Sequence, residues 1–567
     1  MNDLLLHTLA QTGAEQTPAI VEKLKFIVPE LAMFVGACVV MMLGLSKNLR
    51  VRHACRPVTI ITLAVAGLIA AFSSPAMETS LLPNLSGFVK VLTAIVGILL
   101  AMLMTGVVDR DYEASVASGR AFDAIRSNRG EFYAFFLFSL TGLMLCATAD
   151  DLIWLFLALE LTSLPTYVMV SISGAGANSE ARAQEAGVKY FFLGAFGAAM
   201  FVMGFALLYG ATGTTTLFGD GSIAEVLRSY ASETGSIGAI ATLGAVFSIV
   251  GVCFKIAAVP MHFYTADVYQ GAATPVSAFL AFVPKTAGFV ALILLASAIG
   301  WNFTSGDSTE AAALPESIRV LLWVIAALTM IVGNVMALLQ RSVKRILAYS
   351  SIAHSGYMIV GLIAGPQEGT SGLAAILFYL LCYGVMNLGA FGVVACLEYN
   401  KDGKREEVED IDDLRGLVRS RPALGITMVV CSLSLLGLPI LLGFMGKLFL
   451  FASGISAGEI ALVVVMAINS AIAAYYYLRL AFFPLLESRD EDAEPMQTSP
   501  YLSRTIASVI SAGGVLALIP LTHTLWTQAE FAATLAEPII VTATEPGDAS
   551  LNSEQMIIEP VRSISER

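Results

Sequence analysis

Residues 151–172 read DLIWLFLALELTSLPTYVMVSI. A helix of about 20 mostly apolar residues crosses the hydrocarbon core of a bilayer, so this run has the length of a membrane span. Its apolar residues are continuous rather than alternating, which excludes a barrel strand and leaves a helix as the spanning element. One carboxylate, Glu160, stands near its middle. A charge at that depth costs about 3 kcal/mol on insertion scales, which makes Glu160 a functional candidate by default.

The same reading repeats along the chain. Candidate helices cover 26–46, 58–77, 86–108, 132–149, 151–172, 187–210, 237–259, 274–299, 318–339, 343–364, 372–398, 422–452, 457–484 and 502–525. The expected fold class is an all-α membrane protein with about 14 transmembrane helices. Composition agrees. Hydrophobic residues make up 57% of the 567, against about 45–50% in soluble proteins, and charged residues only 13%, against about 25%. Mean hydropathy is +0.77. A soluble enzyme, a disordered chain and a nucleic-acid binder are excluded. The net charge of −12 lies largely in the acidic stretches 406–413 and 487–494 and in the tail 526–567, so it points to no charged ligand. Of the seven cysteines, Cys146, Cys253, Cys382, Cys396 and Cys431 fall inside apolar runs, and no pair has metal-ligand spacing. The first 20 residues lack the basic region and compact apolar run of a cleavable signal peptide.

Basic residues orient the spans, because cytoplasmic loops are enriched in Lys and Arg. The loop after the first segment holds Lys47, Arg50, Arg52 and Arg56. Arg110, Arg120, Arg126 and Arg129 follow the third, and Arg341, Lys344 and Arg345 the ninth. Lys401, Lys404, Arg405, Arg415, Arg419 and Arg421 follow the eleventh. Loops after even-numbered segments are nearly free of base. The expectation is that odd-numbered loops face the cytoplasm and both termini the other side.

The ionisable groups at apparent membrane depth are few: Glu30, Glu160, Lys189, Lys255, Lys285, Lys447 and Arg479, with His354. Lysine is the cation that most readily gives up its proton on burial, whereas arginine stays charged. Lys90 and Lys189 lie close to a span start, where a long stem can snorkel to the interface. Lys255, Lys285 and Lys447 lie deeper. A buried Glu160 beside one of these lysines would hold it charged, and separating the two would release a proton.

Two segments are interrupted. In KIAAVPMHFYTADVYQGA, residues 255–272, Pro260 removes a backbone donor and the following His262, Tyr264, Thr265, Asp267, Tyr269 and Gln270 are too polar for lipid. In LSLLGLPILLGFMGKLF, residues 433–449, Pro439 and Gly443 precede Lys447. Irregular backbone at depth is tolerated only where it lines protein or a wet cavity, and paired interruptions point to a transport site. Segments four to eight (132–300) and nine to thirteen (318–485) each hold five spans. Copies with an odd number of spans enter from opposite sides. The chain therefore reads as a three-helix segment (1–131), two inverted five-helix repeats with broken helices 7 and 12, a last helix (500–525) and an acidic tail (526–567). Glu160 then corresponds to His354, and Lys255 to Lys447. A midplane series of Glu160, Lys255, Lys285, His354 and Lys447 follows, with Ser350, Ser351, Tyr357, Tyr383 and Asn387 as polar neighbours. Lys189, Tyr357 and Asp267 are secondary candidates.

The stretches EFYAFFLFSLTGLMLCATADDLIWLFLALELTSLPTYVMV, KYFFLGAFGAAMFVMGFALLYGATG, CFKIAAVPMHFYTADVYQGAATPVSAFL, SVKRILAYSSIAHSGYM and LPILLGFMGKLFL resemble the antiporter-like membrane subunits of respiratory complex I. The resemblance covers about 130–485 well and the first three helices loosely. DVYQGA and a lysine in the eighth helix favour one branch of that family over others, which usually carry a histidine there. The resemblance implies a proton-translocating membrane-arm subunit of a multi-subunit NADH-quinone oxidoreductase, with Glu160, Lys255, Lys285 and Lys447 as its proton relay. It implies NADH, FMN, iron–sulfur clusters and quinone in partner subunits. This chain carries no GxGxxG after a strand and no iron–sulfur cysteine set. Implied partners are other antiporter-like and small membrane subunits and the lipid bilayer, in a bacterial cell inner membrane. A subunit of a cation/proton antiporter or membrane-bound hydrogenase complex resembles the same family. Two departures from the pattern are Pro284 directly before Lys285 and the acidic extension after about residue 526.

Overall fold

The computed structural model describes residues 26–73, 80, 82–174, 179–301, 314–367, 369–401, 404–488 and 496–535. Besides short connecting helices, which include Leu49–His53, Arg110–Ala117, Ile223–Thr234 and Leu417–Ser420, its helices are α1 (Val28–Gly44), α2 (Cys55–Ser73), α3 (Leu85–Leu103), α4 (Arg129–Cys146), α5 (Leu152–Ser171), α6 (Ser179–Thr212), α7 (Ala239–Lys255), α8 (Thr265–Gly271) and α9 (Thr274–Ile299). They continue with α10 (Glu316–Leu338), α11 (Val343–Ala364), α12 (Gly372–Ala395), α13 (Pro422–Leu436), α14 (Leu442–Ser456), α15 (Ile460–Leu486), α16 (Leu502–Ala517) and α17 (Thr522–Ala533). Among the described residues, nine helices are long and apolar enough to cross a membrane, or ten if α16 and α17 count as one bent span. Shorter apolar helices are α1, α7, α13 and α14.

Three helices form the centre. In α9, α11 and α12 the whole apolar window is buried inside the chain, whereas only a third of the α6 window is. A helix that is apolar all round is stable only when surrounded, and these three are surrounded by the rest. Lys285 lies on α9 and His354 on α11, so their side chains are walled in by protein and have no lipid interface to snorkel toward. Helices α1 to α4 pack into a bundle at one end, and α3 connects it to α12, α16 and α17.

The structure moves two expected boundaries and shows where the twelfth segment, expected to be interrupted, breaks. The seventh segment, expected to reach 259, ends at Lys255, before Pro260, with Ala257 in the left-handed region (φ 55°). The twelfth is two helices separated by 437–441, where Gly437 and Ile440 have positive φ. The fourteenth, expected as one span over 502–525, stops at Ala517 and turns by 92° into α17. Pro520 explains this stop, since the residue before a proline is driven out of the helical region. The tail expected from 526 thus begins inside a packed helix, where Trp526 stacks on Phe449 with centroids 4.0 Å apart. Residues 536–567 lie outside the described residues, as do most of 487–494.

The loop after the eleventh segment is not purely irregular. β1 (Leu397–Lys401) pairs antiparallel with β2 (Lys404–Glu407) and with β3 (Gln497–Thr498), giving the order β2-β1-β3. The sequence between β1 and β2 is Asp402–Gly403, a pair favoured in two-residue hairpin turns.

Candidate functional site

Helix α5 is capped at its start by Asp151, whose carboxylate accepts from the Trp154 amide (2.7 Å), and it continues through Pro165. Glu160 and Ser163 are three residues apart and so share one face. Helix α7 ends on Lys255, and its ammonium meets that face. Lys255 Nζ lies 3.1 Å from Glu160 Oε1 and donates to the Ser163 hydroxyl. Lys255 is buried, and the Glu160 side chain is 16% exposed. The break beyond Lys255 leaves backbone groups that the membrane interior cannot solvate. Each of three is answered by a side chain from elsewhere. The Tyr264 hydroxyl donates to the Phe254 carbonyl (2.8 Å), the Ser355 hydroxyl to the Ile256 carbonyl (2.5 Å), and the Val259 amide to Thr329 Oγ1 (3.0 Å).

Lys285, three residues before Gly288 on α9, donates to the carbonyl of Ser351 and to its hydroxyl (2.6 Å). Helix α9 is continuous through Pro284, so that proline does not displace Lys285 from its helix. The Tyr383 ring lies 4.8 Å from Lys285 Nζ, a cation–π distance. A Cβ at Gly288 would stand 3.1 Å from Lys255 Cβ, so the end of α7 is pressed against the helix that carries Lys285.

His354 is held at both nitrogens. Nδ1 is 2.6 Å from the Tyr379 hydroxyl and Nε2 is 2.7 Å from the Tyr477 hydroxyl, which also meets Ser350. Asn334 donates to the Tyr357 hydroxyl (3.1 Å), and Lys447 Nζ stands 5.1 Å from the Tyr357 ring. Lys447 donates to the Leu436 carbonyl (2.8 Å), one of the acceptors that the end of α13 leaves open. Among the described residues no carboxylate pairs with Lys285 or Lys447. The Asn387 amide and the Tyr383 hydroxyl are buried without a hydrogen-bond partner in the described chain, and such groups are those that ordered water serves.

The structure therefore gathers Lys255 with Glu160, Lys285 with Ser351, and His354 and Lys447 with a shared cluster of tyrosines. It sets Lys189 and Asp267 apart. Lys189 is half exposed, 2.6 Å from Glu185 and 3.7 Å from Asp267, and Asp267 pairs with Arg345 at 2.7 Å. Pro439 is exposed in the second break, and Pro260 lies five residues past the end of α7, where it has no N–H to offer the Ile256 carbonyl. Sequence reading missed Ser163, Tyr379 and Tyr477. Ser163 carried a signal, its spacing from Glu160, whereas the two tyrosines sit unmarked in apolar runs. Lys90, a snorkelling candidate, is buried and lies 3.0 Å from Glu30.

Residues 149–473 match the family model described as NADH:quinone oxidoreductase/Mrp antiporter, TM, which is more than half of the chain. The chain belongs to this family. The NADH-quinone oxidoreductase subunit N of Myxococcus xanthus is 35% identical over 519 residues, covering 87% of this chain and 94% of the relative. The subunit N of Trichlorobacter lovleyi is 40% identical over 391 residues, covering 69% of this chain and 74% of the relative. Among solved structures, a chain of respiratory complex I from Thermus thermophilus, with bound aureothin, is 30% identical with a TM-score of 0.67, covering 88% of this chain and 99% of that one. As a family member, the chain carries its buried lysines within the matched region: Lys255, Lys285 and Lys447 all fall between 149 and 473.

Proposed function

We propose that the chain is a proton-translocating membrane-arm subunit of an NADH-quinone oxidoreductase. The observation that carries this reading is the Glu160–Lys255 ion pair, held at the end of a broken helix in a chain 35% identical along most of its length to a subunit N. NADH, FMN, iron–sulfur clusters and quinone belong to partner subunits. Energy arrives as a charge displacement from a neighbouring subunit in a bacterial inner membrane. That displacement draws Glu160 from Lys255, and Lys255, no longer held charged, passes its proton inward. Lys285 receives it beside Ser351. The His354 and tyrosine cluster carries it on, and Lys447 releases it on the far side.

In this reading the chain crosses the membrane 14 times. The segments 132–300 and 318–485 are inverted copies, following the three-helix segment 1–131, and both termini lie on the non-cytoplasmic side. The two breaks are the counterpart features: the first follows the helix end that carries Lys255, and the second follows the helix end whose Leu436 carbonyl accepts from Lys447.

Lysine chemistry supplies the test. Lys285→Arg keeps the charge, but arginine cannot release a proton at any physiological pH. In the whole complex reconstituted into vesicles, Lys285→Arg should lose proton translocation as fully as Lys285→Gln while retaining this subunit. Normal pumping in Lys285→Arg would sink the relay.

A further inference from the structure

Strand β2 ends at Glu407, whose carboxylate reaches the first residue of α9. It accepts from the Thr274 amide (3.1 Å) and the Thr274 hydroxyl (2.6 Å), and it pairs with Lys344 of α11 (3.1 Å). A carboxylate there satisfies amides that the helix leaves open and suits the positive end of its dipole. Lys344 is buried and has a second acceptor, the Ala272 carbonyl (3.1 Å), so it can leave Glu407 without losing every hydrogen bond. Glu407 also lines a cavity of about 700 Å³, together with Ser171, Ile172, Ala273 and Arg504. At about 30 Å³ per molecule that space holds on the order of 20 waters.

Polar groups continue inward from this wall. Ser277, one turn beyond Thr274, donates to the Tyr269 carbonyl (2.7 Å). Tyr269 and Ser351 are both buried, and Ser351 is the partner of Lys285. From Thr274 to Lys285 is eleven residues, about 16 Å along the helix. Thr274 and Lys285 are about three turns apart and so lie on one face of α9, with the carboxylate and the cavity at its first residue.

We propose that this cavity is the mouth through which the chain takes up protons and that the Glu407–Lys344 pair is the gate between it and Lys285. The proposal rests on the relay reading of Lys285. In the closed form the pair is intact. In the open form Lys344 stays on the Ala272 carbonyl, and Glu407 takes one proton from water in the cavity. That proton passes by Thr274 and Ser351 to Lys285, once Lys285 has handed on to the His354 cluster the proton it took from Lys255, which leaves Glu407 ionised again and closes the pair. Burial alone pushes the Glu407 carboxyl up. Lys344 and the Thr274 hydroxyl outweigh it and hold the group below the ordinary carboxylate value, so the closed form is the resting one near neutral pH.

The test uses the assembled complex in vesicles. Ile172→Cys places a thiol on the cavity wall, away from the pair, and a bulky cationic methanethiosulfonate is added after assembly. Modification should cut protons moved per NADH oxidised by about tenfold, and Glu407→Gln should do the same unmodified. Glutamine still offers Thr274 an acceptor oxygen, so a purely structural role for Glu407 leaves pumping unmoved. Full modification by mass with unchanged pumping overturns the mouth, and normal pumping in Glu407→Gln overturns the gate. Lys285→Gln runs alongside. Loss of pumping there, with both other variants normal, leaves the relay standing and refutes only this proposal, whereas normal pumping there removes the relay itself.

Discussion

Breaking the Glu160–Lys255 pair and replacing it are different experiments, and together they separate stability from transport. Lys255→Met keeps the length of the side chain and removes the ammonium. At 3.1 Å and an effective dielectric of about 20, the attraction lost is about 5 kcal/mol. Lys255 no longer has to be desolvated, which offsets part of this, and one-sided removal of a buried pair costs about 3–5 kcal/mol in practice. The Glu160 side chain keeps 16% of its surface exposed, which places this site at the low end, about 3 kcal/mol. Replacing both residues, Glu160→Leu with Lys255→Met, removes the two charges at once and is expected to be within about 1 kcal/mol of the parent, since apolar replacements of buried pairs are often neutral. The assay is a heat challenge of the purified complex, with retention of this subunit as one readout and proton translocation in vesicles as the other. Retention should fall in Lys255→Met and recover in the double variant, while translocation is lost in both. If translocation recovers with stability, the pair is only structural and the switching mechanism is wrong. If Lys255→Met is as heat-resistant as the parent, the pair is not a desolvated one.

Gly288→Ala puts a methyl 2.5 Å from Ile256 Cγ2 and 3.1 Å from Lys255 Cβ, so α7 and α9 must part, at about 1–3 kcal/mol. Slower pumping and lower heat resistance should appear together; parent-like values for both would show that the two helices do not need this approach. Glu407 gives a pH prediction with a definite sign. Its folded value is lowered, so its contribution is present above the unfolded value near 4.5 and is lost as pH falls through the lowered folded value. The protection that Glu407 gives the β1–β2 hairpin against proteolysis, relative to Glu407→Gln, should therefore shrink below about pH 4.5. A difference constant from pH 7 to pH 3 would refute the pairing.

What sequence could reach, and what it could not, divides by the range of the physics. Hydropathy is a local sum, so the helices appeared in the right places, and Pro520 was a local marker of the bend after α16 that simple span length concealed. Burial of a charge is also half local. Lys285 and Lys447 stand in runs too apolar to leave them elsewhere, whereas Lys189 stands in a similar run and yet reaches Glu185 one turn back and Asp267 on another helix. What decides between these outcomes is the neighbour, and neighbours are remote. Glu160 is 95 residues from Lys255, and Ser351 is 66 from Lys285. The least visible partner is that of Lys447. Its acceptor is the backbone carbonyl of Leu436, which exists as a free acceptor only because α13 stops there. No side-chain pattern encodes such a site; the break does. The same holds at the first interruption, where the carbonyls of Phe254 and Ile256 are claimed by Tyr264 and Ser355. A helix broken inside the bilayer must find these partners or unfold, and each partner it finds is a polar group brought to the depth of a lysine. The breaks therefore do more than kink the chain: by stranding backbone groups in an apolar medium they recruit the hydroxyls and ammonium groups that a proton path requires.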